Sequence, residues 1–303
     1  MTKHLIEESR PSTIVICAYM SGSVANVSGS LCNALEILGS LPGSGRYSAH
    51  AQGSSGRVLT QRHYPGNQSY RIFADEMQRI VQSEDADEVF VECRESRGAL
   101  RWMIRASNAG FIDNHRAAQP LMCVSIRDRE LEHLGAAAAS EFVRRISMHM
   151  FDHTCVDTGL VDIGTEAEVQ EGTYYAFEGA RVPYRWHRHV NHYEWIRLSC
   201  DQRRKMCRGV YWGTYLGKAL RDRVESAELM EAFKSEMARD PQCRPFVHVG
   251  THGGCLYGLS GWPLTIHERV VVPDDTCPPY TYSKEAERAA ILRSALRHAE
   301  AIL

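Results

Sequence analysis

The stretch Ser12–Met20 (STIVICAYM) restricts the architecture of this chain more than any other. From Ile14 to Ala18 it has no polar side chain, so neither face of the strand can be given to water. Such a run belongs in the middle of a sheet that is covered on both sides. It leads through the Gly/Ser-rich residues Ser21–Ser30 into a helical pattern (Leu31, Leu35, Ile37, Leu38) that Gly39 and Pro42 stop. Strand, Gly/Ser loop and helix together are the layout of a phosphate-binding loop, which needs a lysine just before its hydroxyl residue. Here Gly29 is followed directly by Ser30, and no lysine occurs between Lys3 and Lys205. The connection is therefore read as structural.

Further along, Tyr47–Ala51 and Arg57–Tyr64 read as short strands between the turns GSLPGSG, QGSSG and Pro65-Gly66-Asn67. Apolar spacing predicts a helix over Ile72–Val81, and Glu88–Cys93 is a compact strand. Arg97–Ser107, with Leu100, Trp102, Met103 and Ile104, is predicted as a helix, and Pro120–Ile126 as a buried strand. The alanine run and the apolar residues within Leu131–Met150 predict a helix, and His153–Ile163 is strand-like. Cys207–Trp212 reads as a strand that turns at Gly213-Thr214 into a helix beginning near Tyr215. Ala227–Met237 is an amphipathic helix, and Phe246–Val249 with Gly254–Leu259 is a strand pair turned at His252-Gly253. Ser283–Leu303 closes the chain as a long helix. The alternation of strands and helices predicts an α+β fold: a mixed β-sheet covered by helices, with a long C-terminal helix. Residues 1–11 are expected to be a flexible N-terminus. Residues 12–303 are expected to form one α+β domain, with an alternative of two halves meeting near residue 150.

With 44% apolar and 24% charged residues the chain can bury a large core. A formal net charge of −2 supplies no global field for nucleic acid, and no apolar run approaches the roughly 20 residues of a membrane span. The polar N-terminus lacks the apolar segment of a secretory signal, so a cytoplasmic location is expected. The ten cysteines are irregularly spaced, without a C-x-x-C pair, and read as small buried residues. No cofactor or metal is expected.

The densest polar-aromatic segment is Tyr184–Trp195. On a strand, His187 and His189 would share a face and could hold a divalent cation, with His192 nearby and Glu194 as an oxygen ligand. Joined to Tyr211-x-x-x-Tyr215-x-x-Lys218, that pair would make a metal-dependent DNA-nicking enzyme of the rolling-circle initiator type. Arg185, Arg188 and Asn191 flank the histidines where that class has bulky apolar residues, which argues against it. Gly258-Leu259-Ser260-Gly261 lacks the spacing of a serine nucleophile elbow. Asp152, Asp157 and Asp162 suit neither one strand face nor a calcium loop. Cys/His pairing is given no weight in so cysteine- and histidine-rich a chain.

The C-terminal half carries an ordered set of motifs. Cys207–Gly217 (CRGVYWGTYLG) is followed by Gly253-Gly254-Cys255-Leu256, by Gly261-Trp262-Pro263, and by Pro278-Pro279-Tyr280 ahead of the last helix. In these residues the chain resembles the type VI secretion immunity family. Val224-Glu225-Ser226 stands where the family often has Gly-Gly. The resemblance implies a protein that binds and neutralises a cognate antibacterial effector, without catalysis and without nucleic acid or membrane as partner; a homo-oligomer stays open. Tyr, Trp and Arg dominate binding hot spots, which makes Arg185, Trp186, Arg188 and Tyr193 candidate partner contacts. Asp274, Asp275 and the acidic segment Glu166–Glu171 are candidates for facing a basic effector. Trp212 and Leu216 are expected to be buried.

Overall fold

The computed structural model of the chain describes residues 13–43, 45–53, 57–65, 70–81, 86–95, 98–108, 121–164, 212–222 and 245–259. The apolar run forms β1 (Thr13–Met20), and every one of its residues is buried. It lies between β6 (Leu121–Arg127) and β7 (Val156–Gly164), with Cys17 opposite Cys123 on one side and Leu160 on the other. Outward from β6 come β5 (Leu100–Ser107), β4 (Ala86–Arg94), β2 (Arg46–Gly53) and β3 (Val58–Pro65). Outward from β7 come β8 (Gly213–Leu216), β10 (Cys255–Leu259) and β9 (Pro245–Val249). The expected mixed sheet is thus replaced by a single ten-stranded sheet in which each neighbouring pair is antiparallel.

The physical reason lies in the crossovers. The α-helices among the described residues are α1 (Ser28–Gly39), α2 (Tyr70–Val81), the single turn α3 (Arg129–Glu132), α4 (Gly135–Phe151) and the single turn α5 (Lys218–Arg221). Through α1 the chain passes from β1 to β2, four places away; through α2 from β3 to β4, two places; through α3 and α4 from β6 to β7, two places. Strands joined by these helices are therefore parallel to each other, as an even number of places in an antiparallel sheet makes them, yet they are never neighbours. Antiparallel strands occupy every gap. β1 itself fills the gap between β6 and β7.

Among the described residues, helices cover only one face of the sheet. The side chains of α1, α2 and α4 that reach the core join Ile14, Ile16, Ala18 and Met20 in one cluster on one face. The opposite face has its own cluster of Val15, Cys17, Tyr19, Leu100, Met103, Cys123 and Leu160, to which no described helix contributes. The long helix expected at Ser283–Leu303 and the one at Ala227–Met237 lie outside the described residues.

Two element assignments are corrected. The helix expected over Arg97–Ser107 is strand β5, buried on both faces. Its apolar residues Leu100, Trp102, Met103 and Ile104 do not alternate, so spacing alone cannot separate helix from strand, and pairing with β4 and β6 decides for the strand. A bulge opposite Cys93 and Arg94 leaves Arg101 as the extra residue, since Cys93 faces Trp102 and Arg94 faces Leu100. Arg101 turns to Glu130 (Nε to Oε2, 2.8 Å) and donates to the carbonyls of Pro42 and Gly43. Nearer the C-terminus, the turn expected at Gly213-Thr214 and the helix expected to begin near Tyr215 are replaced by a strand, Gly213–Leu216, with Trp212 in a bend before it, while residues 207–211 lie outside the described residues. Tyr215 is therefore a strand residue.

The Gly/Ser connection after β1 is tied into the fold by its backbone amides. Ser21 N donates to Cys155 O (2.8 Å), Ser23 N to Asn26 Oδ1 (2.7 Å) and Val24 N to Asn108 Oδ1 (2.6 Å). These three amides of the connection are engaged within the fold.

Candidate functional site

The motif residues that are described meet where β7, β8 and β10 adjoin the end of α4. Cys255 is opposite Leu216 and Leu256 opposite Tyr215, so the two motif segments Gly213–Gly217 and Gly253–Leu256 form neighbouring strands. Trp212 and Leu216 are buried, as expected. Tyr215, only 1% exposed, stacks on Phe151 of α4 at 5.2 Å between ring centroids.

Glycines make this packing possible. Gly159 of β7 is the register partner of Tyr215, and the Phe151 ring lies against it where a Cβ would stand. At Gly254 a Cβ would fall on the Tyr215 hydroxyl. Gly217 presses on the backbone of β7, where its N–H donates to Asp157 O (2.9 Å), and a Cβ there would strike the carbonyls of Val156 and Asp157. Gly213 abuts Val161. Each of these positions excludes a side chain because a neighbour already occupies the space.

Beside the aromatic pair is a polar corner. Asp152, just beyond the end of α4, accepts from Thr251 N (2.8 Å), Thr251 Oγ1 (2.8 Å) and His252 N (3.0 Å), and so fastens the β9–β10 turn to the helix. Burial pushes its carboxyl pKa up, but these three donors together hold it below the usual carboxylate value. His153 Nδ1 lies 3.1 Å from Cys155 Sγ and also accepts from Cys155 N (3.3 Å). Burial, and then the nearby His252 ring, hold His153 below the usual imidazole pKa. Burial pushes the Cys155 thiol up to about 11, so at neutral pH it is a protonated S–H donor and not an activated nucleophile. This Cys–His contact was not foreseen; the His153-x-Cys155 spacing was its one local signal.

The tyrosine–lysine pattern does not assemble a catalytic group. Burial, followed by the charge of Asp152, raises the Tyr215 phenol well above its ordinary pKa. Lys218, at the start of α5, is exposed and pairs with Asp222 (Nζ to Oδ2, 2.9 Å), which Arg221 also contacts. A tyrosine that attacks phosphorus must be accessible and readily deprotonated, and Tyr215 is neither. Among the described residues, no group of three or more His, Cys, Asp or Glu could hold a metal ion. The candidates Arg185, Trp186, Arg188, Tyr193, Asp274 and Asp275 lie outside the described residues, as do His187, His189, His192, Glu194, Tyr211 and Glu166–Glu171.

No family model matches the chain, and no curated protein matches it. Among solved structures it is similar to the Pseudomonas aeruginosa T6SS protein PA0821. That likeness has 11% sequence identity and a TM-score of 0.49, over 98% of this chain and 81% of the other. A likeness this distant carries no argument about fold or function. No helix among the described residues is long and apolar enough to cross a membrane.

Proposed function

We propose that the chain is an immunity protein that acts in the cytoplasm, binding a cognate antibacterial type VI secretion effector and neutralising it without catalysis. The observation that carries this reading is the meeting of the two motif segments as adjacent strands β8 and β10, with their glycines taken up by close packing. Residues held for that reason build a scaffold, and an inhibitor needs a scaffold and a recognition surface but no catalytic acid, base or metal. The nicking alternative loses Tyr215 as a nucleophile, because its ring is stacked inside the core.

The test is co-expression with the neighbouring gene's product as the candidate toxin, scoring survival of the host. Host survival is expected, and Tyr215→Phe should protect as well as the parent chain. Failure to protect, together with a tyrosine-linked DNA product, would overturn the proposal.

A further inference from the structure

Two thiols in the middle of the sheet take no part in the reading above. Cys17 on β1 and Cys123 on β6 are register partners, and their Sγ atoms lie 3.1 Å apart. Neither is in a disulfide, and both are fully buried on the face away from the described helices, in the cluster with Val15, Tyr19, Met103 and Leu160. Directly opposed residues of an antiparallel pair have Cα atoms about 4.5 or 5.5 Å apart, depending on which kind of pair they form. Either value falls within the roughly 4.4–6.8 Å that a disulfide spans. An S–S bond is about 2.05 Å long. Closing the remaining gap takes about 1 Å of sulfur movement, which side-chain rotation can supply without moving the strands.

We propose that Cys17 and Cys123 are a site of oxidative modification, closing to a disulfide between β1 and β6 when the chain meets a small-molecule disulfide such as oxidised glutathione. In the first step one cysteine thiolate attacks a glutathione sulfur, forming a mixed disulfide and releasing one glutathione thiol. In the second, the opposing cysteine gives up its proton and displaces the remaining glutathione. Two cysteine sulfurs are oxidised, one glutathione disulfide is reduced to two thiols, and the two cysteine protons leave on them. The neighbouring thiol is already in contact, so the mixed disulfide is short-lived. Burial makes the first step wait for an opening of the sheet. The bond would bracket the chain from β1 to β6, closing covalently the part of the fold that holds β2 to β5 with α1 and α2. It is independent of the immunity reading.

The test uses the full chain, incubated with oxidised glutathione in urea below the unfolding transition. Free thiols are then alkylated under denaturing conditions, and the chain is digested without reductant and mapped by mass spectrometry. A linked peptide pair carrying Cys17 and Cys123 is expected to accumulate with time and to vanish on reduction with dithiothreitol. Melting of the oxidised protein is expected at a higher temperature. Recovery of both residues as alkylated peptides after prolonged incubation would overturn the proposal. So would either residue still carrying glutathione, or bonded to a different cysteine.

Discussion

Gly159→Ala tests the packing around the motif strands. A strand glycine normally weakens its sheet, and replacement by alanine should stabilise by roughly 0.5–1 kcal/mol. The structure reverses that sign. A Cβ at Gly159 would stand 2.6 Å from Phe151 Cε1 and 2.9 Å from two further ring carbons, closer than such atoms approach. The ring has nowhere to go: Phe151 is fully buried and stacked on Tyr215, whose hydroxyl is itself against Gly254. Overpacking a filled core costs about 1–3 kcal/mol. Set against the backbone gain, the net loss should be about 1–2 kcal/mol, or a fall of a few degrees in melting temperature for a chain of this size. Phe151→Leu in the same chain should recover part of it, because the smaller side chain frees the volume the new methyl needs. Urea unfolding of the two single variants and the double variant measures the coupling. Stabilisation by Gly159→Ala, or additive losses in the double variant, would refute the arrangement.

Glu130→Ala leaves Arg101 charged and 5% exposed beside Cys93, so it should destabilise by about 3–5 kcal/mol; adding Arg101→Met should return much of that in the same unfolding assay. Asp152→Asn should weaken the fastening of the β9–β10 turn, by about 1–2 kcal/mol once its partial exposure is discounted. Because the folded pKa of Asp152 is depressed, its stabilisation is present above the unfolded value near pH 4 and is lost as pH falls through the lower folded value. The parent and Asp152→Asn melting curves should therefore converge in strong acid, and a gap that persists there would count against this role. Fragments 1–150 and 151–303 should not fold alone, since β1 needs β7 as well as β6; a cooperative melt from each fragment would contradict this.

Much of the fold was legible where one physical signal acted alone. The run from Ile14 to Ala18 has no polar side chain, and β1 is indeed covered on both faces. Gly39 and Pro42 marked the end of α1, and His252-Gly253 marked the β9–β10 turn, where Gly253 has a φ of 83°. β5 was misread because a strand buried on both faces has no alternation to reveal it, and only its neighbours distinguish it from a helix. Gly213 reads as a turn and Gly217 as part of a helix, whereas close approach to Val161 and to the β7 carbonyls places the one in a strand and the other just after it. The antiparallel order could not be read locally, because it depends on how many strands each crossover skips. At the site, burial of Trp212 and Leu216 followed from their apolar character, whereas the Asp152 contacts depend on a turn about a hundred residues away in the chain, and the His153–Cys155 contact is local but carried no signal beyond its spacing.

The central claim, stoichiometric neutralisation by binding, is tested most directly by titrating a fixed amount of the cognate toxin with the purified chain and following residual toxin activity. Inhibition should be linear and end when the two are equimolar, with both proteins recovered intact from the complex. Full inhibition at a small fraction of an equivalent would show turnover, and no inhibition at a large excess would show that this chain does not neutralise that toxin; either result contradicts the account.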